Sequence, residues 1–528
     1  MRDDTGITGR LPGYRVVIVT LDAHAAGPIE RAAGRLSADF PGLTVSVHAA
    51  AEWGEAPEKL EAAKHAVETG DIVITALLFL EDHVRAILPS LEARRPHCDA
   101  MIGMVSDAAI VKTTRMGNLD MGAPASGAMA LLKKLRGSSK PSTESGAKKM
   151  RLLRRLPKIL KYIPGKSQDL RAWFLTMQYW LASSDENIEG MVRFLVSRYA
   201  QEETWKTMKA PAPMEYPDVG LYHPRLKGRI TTDPAKLPKP KLPVGTVGIL
   251  MMRSYVLSSD CAHYDAVIEA MEARGLRVIP AFAGGLDGRP AVDAYFQGPE
   301  GAKIDALVSL SGFSLVGGPA YNDNDAAIKV LKDLDIPYLA AHPLEFQTLD
   351  QWSLSKQGLG PIETTMLIAL PELDGATNPT VFAGRHGPEG CKGCPNECAA
   401  PKAAKAMSPC HERIDRLVDK TLRQVRLRQA KAKNRKVGIV LFGFPPNAGA
   451  AGTAAYLDVF RSLHNTLHAL KAQGYTLDPP ETVEELRATI LGGSAAQYGQ
   501  EANVAAHVDA DTMVSQTPWL KEIEEIWG

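Results

Sequence analysis

Two parts of the chain alternate short, almost wholly apolar runs with helical patterns, and this alternation constrains the fold more than any other feature. In the first part the apolar runs are Arg15–Leu21, Asp71–Phe79 and Asp99–Val105. In the second part they are Thr246–Met252 and Asp305–Leu310. Strands that are apolar on both faces are typical of parallel sheets covered by helices on both sides. The pattern therefore predicts doubly wound α/β domains.

Shifts in composition divide the chain into four regions. We expect a flavodoxin-like domain over 12–135, a basic hinge with a helical segment and a Pro-rich connector over 136–243, an α/β domain with a cysteine cluster over 244–435, and the start of a further α/β domain, cut short where the sequence ends, over 436–528. The last region begins with a predicted strand at Val437–Phe442. The predicted fold class is α/β, with several doubly wound parallel-sheet domains joined by a helical, Pro-rich and basic connector.

Bulk properties exclude several classes of protein. The formal net charge is +1, and apart from Tyr162 the aromatic residues follow the basic run between Lys133 and Arg171 and are not interleaved with it, so nucleic-acid binding is not predicted. No apolar run reaches about 18 residues, so no transmembrane segment is expected. Neither a signal peptide nor a secreted disulfide framework is visible, since only six cysteines are present. We expect a cytoplasmic protein.

Four cysteines form the strongest chemical motif. Cys391, Cys394 and Cys398 lie in the run CKGCPNEC, and Cys410 follows twelve residues later. A compact CxxCxxxC run with a remote fourth cysteine favours an iron–sulfur cluster. Structural zinc more often has paired CxxC or Cys/His units. Zinc and the absence of any metal stay open as alternatives.

His342 and Glu345 are the candidates for cofactor binding. His342 directly follows a predicted strand, and Glu345 stands three residues further on. An imidazole and a carboxylate at this spacing can bind a metal or move protons, although a purely structural role is the alternative. His263, at the start of a predicted helix, is expected to be an exposed polar residue.

The glycine-rich loop Gly443–Thr453 resembles a phosphate cradle before a helix. It lacks the GK[ST] of a Walker A motif, so no ATP site is predicted here. A tight turn between strand and helix explains the loop better. No Ser/His/Asp arrangement and no HExxH motif is present, and no catalytic residue is assigned.

Longer motifs resemble one family over nearly the whole sequence. They include VTLDAHAAG (19–27), LPKILKYIPGKSQDLRAWFLTMQYWLASSDEN (156–187) and HPLEFQTLDQW (342–352). These segments resemble the porphyrin-binding H subunits of magnesium chelatases, and the later α/β region also resembles the large subunits of cobaltochelatases. The basic and aromatic segment Arg151–Asn187 is interpreted as a hinge and wedge between the first sheet domain and the rest of the chain.

The resemblance implies a part in the ATP-dependent insertion of Mg²⁺ into protoporphyrin IX for chlorophyll or bacteriochlorophyll synthesis. Protoporphyrin IX and Mg²⁺ would be the substrates, and ATP would be used by two smaller partner subunits, an AAA+ ATPase and its adaptor. Because H subunits are more than twice as long, we expect an N-terminal portion that lacks the insertion-site residues and is inactive alone. The alternatives are a non-catalytic tetrapyrrole carrier or sensor and an iron–sulfur module.

Overall fold

The computed structural model describes most of the chain. The described residues are 13–21, 26–54, 56–123, 156–157, 160–163, 165, 167–318, 321–387, 390–394, 398, 406–441, 456–491 and 508–527. They belong to two compact units, Met1–Val425 and Arg426–Gly528. Residues 133–155 of the basic run lie outside the described ranges. Within these ranges no helix is long and apolar enough to cross a bilayer.

A mainly parallel sheet opens the first unit. Its parallel strands are β1 (Tyr14–Thr20), β2 (Leu43–Ala49), β3 (Ile72–Ala76) and β4 (Ala100–Met104). Two short antiparallel strands extend it, β5 (Arg115–Met116) and β6 (Leu119–Asp120). The strand order is β2-β1-β3-β4-β5-β6, and its four parallel strands follow the flavodoxin-like order. The parallel α/β pattern predicted from the apolar runs is confirmed for this sheet.

Helices cover both faces of the first sheet. They are α1 (Ala26–Asp39), α2 (Pro57–Thr69), α3 (Glu81–Arg94), α4 (Ala108–Lys112), α5 (Ser167–Ala182), α6 (Asp185–Tyr199) and α7 (Glu203–Lys206). Trp173 and Phe174 of α5 are buried in one cluster with Ile18 of β1. The Trp173 indole N–H donates to the Gly103 carbonyl of β4 at 3.1 Å. Because a parallel sheet needs apolar cover on both faces, residues 167–187 of the predicted hinge are part of this first core.

A second mixed sheet forms the rest of the first unit. Strands β7 (Val219–Tyr222) and β8 (Ile230–Thr231) form one antiparallel edge. The parallel centre consists of β9 (Gly245–Met252), β10 (Leu276–Ala283), β13 (Ala306–Ser309), β16 (Tyr338–Thr348) and β17 (Thr377–Arg385), and β18 (Ser408–Pro409) closes the other edge. The order is β18-β17-β16-β13-β9-β10-β7-β8. Two separate hairpins pair β11 (Gln297–Gly298) with β12 (Gly301–Ala302) and β14 (Gly317–Gly318) with β15 (Tyr321–Asn322).

Helices also cover both faces of the second sheet. They are α8 (Arg253–Leu257), α9 (Ala262–Ala273), α10 (Arg289–Ala291), α11 (Asn324–Leu334), α12 (Leu349–Leu354), α13 (Pro361–Glu363), α14 (Leu370–Leu373) and α15 (His411–Gln429), with π-helical turns at Val292–Phe296 and Thr364–Ala369. One face buries Tyr264 and Leu417 in its core. The other face buries Phe296 and Leu307. This two-sided cover agrees with the continuous apolar runs of the strands.

The second compact unit is helical in its described part. Its helices are α16 (Val459–Ala472), α17 (Val483–Leu491), α18 (Ala510–Gln516) and α19 (Leu520–Trp527). The loop Gly443–Thr453 lies outside the described residues. Residues 437–441 have no regular secondary structure, and Val440 is 92% exposed. The strand predicted at Val437–Phe442 is therefore wrong over those residues, because an apolar run becomes a strand only where a neighbouring strand pairs with its backbone.

Candidate functional site

His342 and Glu345, the two residues predicted to form a pair, both lie on β16, but their side chains have different neighbours. His342 is 1% exposed and lines a cavity. Glu345 instead accepts a hydrogen bond from the Tyr255 hydroxyl at 2.5 Å and lies 3.7 Å from the Arg385 guanidinium. The structure therefore places His342, and not Glu345, in the lining of the cavity.

The cavity beside β16 and β17 has a volume of about 460 Å³. That volume lies within the range of about 300–1,000 Å³ that is usual for small-molecule sites. Side chains from both strands, from α12, from the π-helical turn at Thr364–Ala369 and from α15 line it: His342, Trp352, Leu359, Ile368, Pro379, Thr380, Val381, Glu412, Arg413, Arg416 and Lys420. Most of the strand side of the cavity is apolar, and the α15 side is charged.

Helix α15 brings the charged side chains to the cavity because its sequence is amphipathic. Its buried residues recur at helical spacing and turn one face toward the sheet: Ile414, Leu417, Val418, Thr421 and Val425. Arg413, Arg416 and Lys420 stand three and four residues apart and so share the adjoining stripe of the helix. The cationic side of the cavity thus follows from the helical period.

Ion pairs and a ring contact order these cations. Glu412 forms an ion pair with Arg413 at 2.9 Å and accepts a hydrogen bond from Arg416 at 3.1 Å. The Arg413 guanidinium also lies over the Trp352 ring, 5.4 Å from its centroid. Lys420 donates to the Thr380 hydroxyl at 3.3 Å. With three cations and one carboxylate, the lining has two positive charges in excess and favours an anionic group.

His342 is the most deeply buried polar residue among those that line the cavity. Its Nδ1 atom has no hydrogen-bond partner among the described residues. Burial lowers the pKa of His342 to about 4, so the imidazole is uncharged near neutral pH. An unpaired buried polar atom costs free energy, and a ligand that supplies a hydrogen-bond partner would remove that cost.

Glu363 holds the turn that follows the cavity strand, and sequence reasoning missed it. Its side chain is 1% exposed, and one carboxylate oxygen accepts the backbone N–H groups of Glu345, Phe346 and Gln347 at 2.9, 2.9 and 3.3 Å. A lone glutamate carries no sequence signal for such a role. Its position fixes the path of β16 beyond His342.

The four cysteines of the predicted cluster lie in one neighbourhood. Cys391 and Cys398 form a β-bridge through backbone hydrogen bonds of 3.1 and 3.0 Å. Burial raises the pKa of the Cys398 and Cys410 thiols, and the charge of Cys394 adds to the rise in both. A Cβ on Gly393 would collide with Ser353, so only glycine fits there.

Among the described residues no group of three or more His, Cys, Asp or Glu side chains is arranged to hold a metal ion. Residues 395–397 and 399–405 of the cysteine loop lie outside the described ranges. The assignment of Cys391, Cys394, Cys398 and Cys410 as metal ligands stays a prediction.

The cysteine loop and the cavity share a wall. Trp352, Leu359 and Val381 line the cavity and also belong to the apolar cluster that contains Cys391, with Cys398 and Cys410 packed against it. Any change in the cysteine loop therefore reaches the cavity through these three side chains.

His263 differs from its expected exposure. It is 0% exposed, and its ring lies 3.9 Å from the Tyr264 ring and 5.8 Å from the Phe382 ring, measured between centroids. The prediction of an exposed residue is wrong because the first turn of α9 faces the core of the second sheet. No observation links His263 to the cavity.

The two covered sheets and their connection correspond to a known family. Residues 177–528 match the family described as CobN/Magnesium Chelatase, and residues 15–174 match a domain of unknown function, DUF3479. The chain therefore belongs to the CobN/magnesium chelatase family. The catalytic subunit of cobaltochelatase from Mycobacterium tuberculosis shares the fold over 90% of this chain and 32% of its own, with a TM-score of 0.51 and 16% identity.

Within that family the chain is similar to the H subunits of magnesium chelatases. It is 64% identical to the magnesium-chelatase H subunit of Cereibacter sphaeroides over 98% of this chain and 44% of that protein. The corresponding protein of Rhodobacter capsulatus is 62% identical over 98% of this chain and 43% of its own length. The chloroplastic ChlH subunit of Oryza sativa subsp. japonica is 32% identical over 98% and 38%. The chain thus spans less than half the length of these relatives.

Proposed function

We propose that this chain acts as part of the porphyrin-binding subunit of a magnesium chelatase. In that role it takes part in the insertion of Mg²⁺ into protoporphyrin IX for chlorophyll or bacteriochlorophyll synthesis, and both are substrates. The observation that carries the proposal is the 64% identity to a magnesium-chelatase H subunit over 98% of the chain. Its partners would be two smaller subunits, an AAA+ ATPase and its adaptor, which use the ATP. We place this work in the cytoplasm.

The cavity supports a role in binding rather than in proton removal. Metal insertion requires a base that takes two pyrrole protons and a Mg²⁺ ion that sheds tightly held water. An imidazole whose pKa lies near 4 is a poor base. Glu345, already engaged by Tyr255 and Arg385, is held in an ion pair. We therefore assign no catalytic residue in this chain and expect the 528 residues to be inactive alone.

Porphyrin binding and metal insertion can be measured separately. Titration of the chain with protoporphyrin IX, followed by quenching of tryptophan fluorescence, should give saturable binding. With the two partner subunits, ATP and Mg²⁺, the chain should form no Mg-protoporphyrin, whereas the full-length H subunit of Cereibacter sphaeroides should do so under the same conditions. Absence of binding would overturn the proposed function. Product formation by the chain would overturn only its inactivity and would also exclude the non-catalytic carrier.

We further propose that Cys391, Cys394, Cys398 and Cys410 ligate an iron–sulfur cluster. Four thiols from one loop are the donor set that such clusters use. The β-bridge between Cys391 and Cys398 and the shared apolar cluster with Cys410 favour a common site. When bound, a cluster would cross-link the loop that borders the cavity through its cysteine ligands, and this cross-link would be sensitive to redox conditions.

Anaerobic purification tests this assignment. The protein should be coloured, absorb near 400 nm and contain iron and acid-labile sulfide, and Cys394→Ser should lose all three. Cys98→Ser, at a buried thiol in the first sheet's core, is the control and should keep them. A colourless wild-type protein without iron would refute the cluster, and zinc in its place would favour a zinc site.

A further inference from the structure

We propose that the cavity beside β16 binds the acidic edge of a flat apolar molecule with two carboxylates. The carboxylates pair with Arg413, Arg416 and Lys420, and the ring body lies against the apolar wall. This inference rests on the proposed function, for which the ligand is protoporphyrin IX with its two propionates. It adds a place and a mode of recognition within this chain.

The shape and polarity of the lining suit such a ligand. Leu359, Ile368 and Val381 present apolar surface, and Trp352 adds an aromatic side chain to the lining. A packing defect inside a core would be apolar all round. This cavity instead has one charged side. Binding sites for small molecules are likewise mostly apolar, with a few polar groups at fixed positions.

The charges on α15 match two carboxylates in number. Arg413, Arg416 and Lys420 oppose the single carboxylate of Glu412, so two positive charges stay uncompensated at the cavity. Arginine guanidinium groups bind carboxylates through two parallel hydrogen bonds. Glu412 holds Arg413 and Arg416 in place before the ligand arrives, which lowers the entropy lost on binding.

His342 is a polar residue on the strand side of the cavity. Its Nδ1 atom is buried and has no hydrogen-bond partner among the described residues, although the residue lines the cavity. Buried polar atoms in native proteins are nearly always paired. A polar atom of the ligand that reaches the imidazole would complete this pairing and orient the ligand.

A comparison of protoporphyrin IX with its dimethyl ester tests the inference, because the ester lacks both carboxylate charges. Wild-type protein should bind the free acid at least 10-fold more tightly than the ester. The double variant Arg416→Ala/Lys420→Ala should lose about 10- to 100-fold in affinity for the free acid and almost nothing for the ester. Arg423→Ala, at an exposed position about one turn beyond Lys420 on the same helix and outside the cavity lining, is the matched control and should behave as wild type.

The outcomes separate this inference from the proposed function. If wild-type protein binds the free acid and the double variant binds it equally well, the inference fails and the proposed function stands. If the double variant loses the same affinity for the acid and for the ester, the inference is also overturned, since these cations would then not bind the carboxylates. If wild-type protein binds neither molecule, the proposed function fails and takes the inference with it. Thermal melts of the variants check that all of them are folded.

Discussion

Two deeply buried polar side chains, one in each sheet region of the first unit, differ in how completely they are paired. Asp169 of α5 accepts hydrogen bonds from the Asn118 backbone at 2.9 Å and the Tyr199 hydroxyl at 3.0 Å. It also accepts one from Arg198 at 3.1 Å. The Nδ1 atom of His342 has no partner among the described residues and belongs to a residue that lines a cavity. Because burial without pairing costs free energy, the His342 position gives up stability that the Asp169 position does not.

This contrast suggests a division of work between the sheets. The first sheet has an aromatic core from α5 that covers its face, with Trp173 and Trp180 each 3% exposed. The second has a cavity, a cationic helix side and a cysteine loop with a shared wall. We infer that the first sheet is mainly a scaffold and that the second handles the ligand. Substitutions in the two regions should therefore affect different measurements.

The largest expected effect concerns the scaffold. Trp173→Ala should lower the free energy of unfolding by about 3–5 kcal/mol, the usual cost of truncating a buried large aromatic side chain. The substitution empties the core against β1 and removes the hydrogen bond to the Gly103 carbonyl. Urea denaturation measures the change. Tyr162→Ala, at a residue that is 82% exposed, is the control and should change it by less than about 0.5 kcal/mol.

If Trp173→Ala leaves the unfolding free energy within about 1 kcal/mol of wild type, the aromatic segment is not part of the first core. Loss of porphyrin affinity without loss of stability would break the proposed division of work, because it would place the ligand on the first sheet.

The next effect is a pH dependence that belongs to the second sheet. Burial lowers the pKa of His342 to about 4, whereas a histidine in an unfolded chain titrates near 6.5. Between these values the unfolded chain binds a proton that the folded chain does not, so stability rises with pH. The contribution is complete above about pH 6.5 and is lost as pH falls through 4, with a total of about 3 kcal/mol.

His342→Leu isolates this contribution from that of other groups. The variant should keep its stability near neutral pH, since leucine removes an unpaired polar atom, and should lose less stability than wild type between pH 6.5 and pH 4. Urea denaturation at several pH values measures the difference. Equal slopes in the two proteins would show that His342 takes up its proton freely and is not buried as described.

The smallest effect concerns the turn after the cavity strand. Glu363→Gln weakens the acceptor of three backbone N–H groups and should cost about 1–2 kcal/mol. Hydrogen exchange at the amides of residues 345–347 should become faster, while α5 should keep its protection. Glu372→Gln, at an exposed position of α14, should change neither. Unchanged exchange in Glu363→Gln would show that the carboxylate does not hold this turn.

Local patterns predicted much of the fold. The apolar runs at 15–21 and 246–252 became central parallel strands, β1 and β9. This worked because a strand covered on both faces must be apolar at every position. The same rule failed at 437–441, where the run is apolar but has no neighbouring strand in the described residues. Hydrophobic pattern indicates what a segment can become, and pairing over long sequence distances decides whether it does.

The site was predicted less completely than the fold. Sequence spacing singled out His342 and Glu345, but β16 turns them to different surroundings. The cations of α15 were missed, because one basic helix face has the same pattern whether it borders solvent or a cavity. What identifies these cations is their position opposite Trp352 and Val381, side chains more than thirty residues away in sequence.

By itself the sequence determined the α/β class, central strands of both sheets such as β1, β3, β4, β9 and β13, and the family, since each depends on local periodicity or on motifs carried in one stretch of chain. Tertiary structure alone decided that α5 completes the first core, that His342 is buried beside a cavity, and that three cations of α15 face it. The physical reason is that burial and electrostatic pairing are set by neighbours from distant segments, whose approach no local pattern encodes.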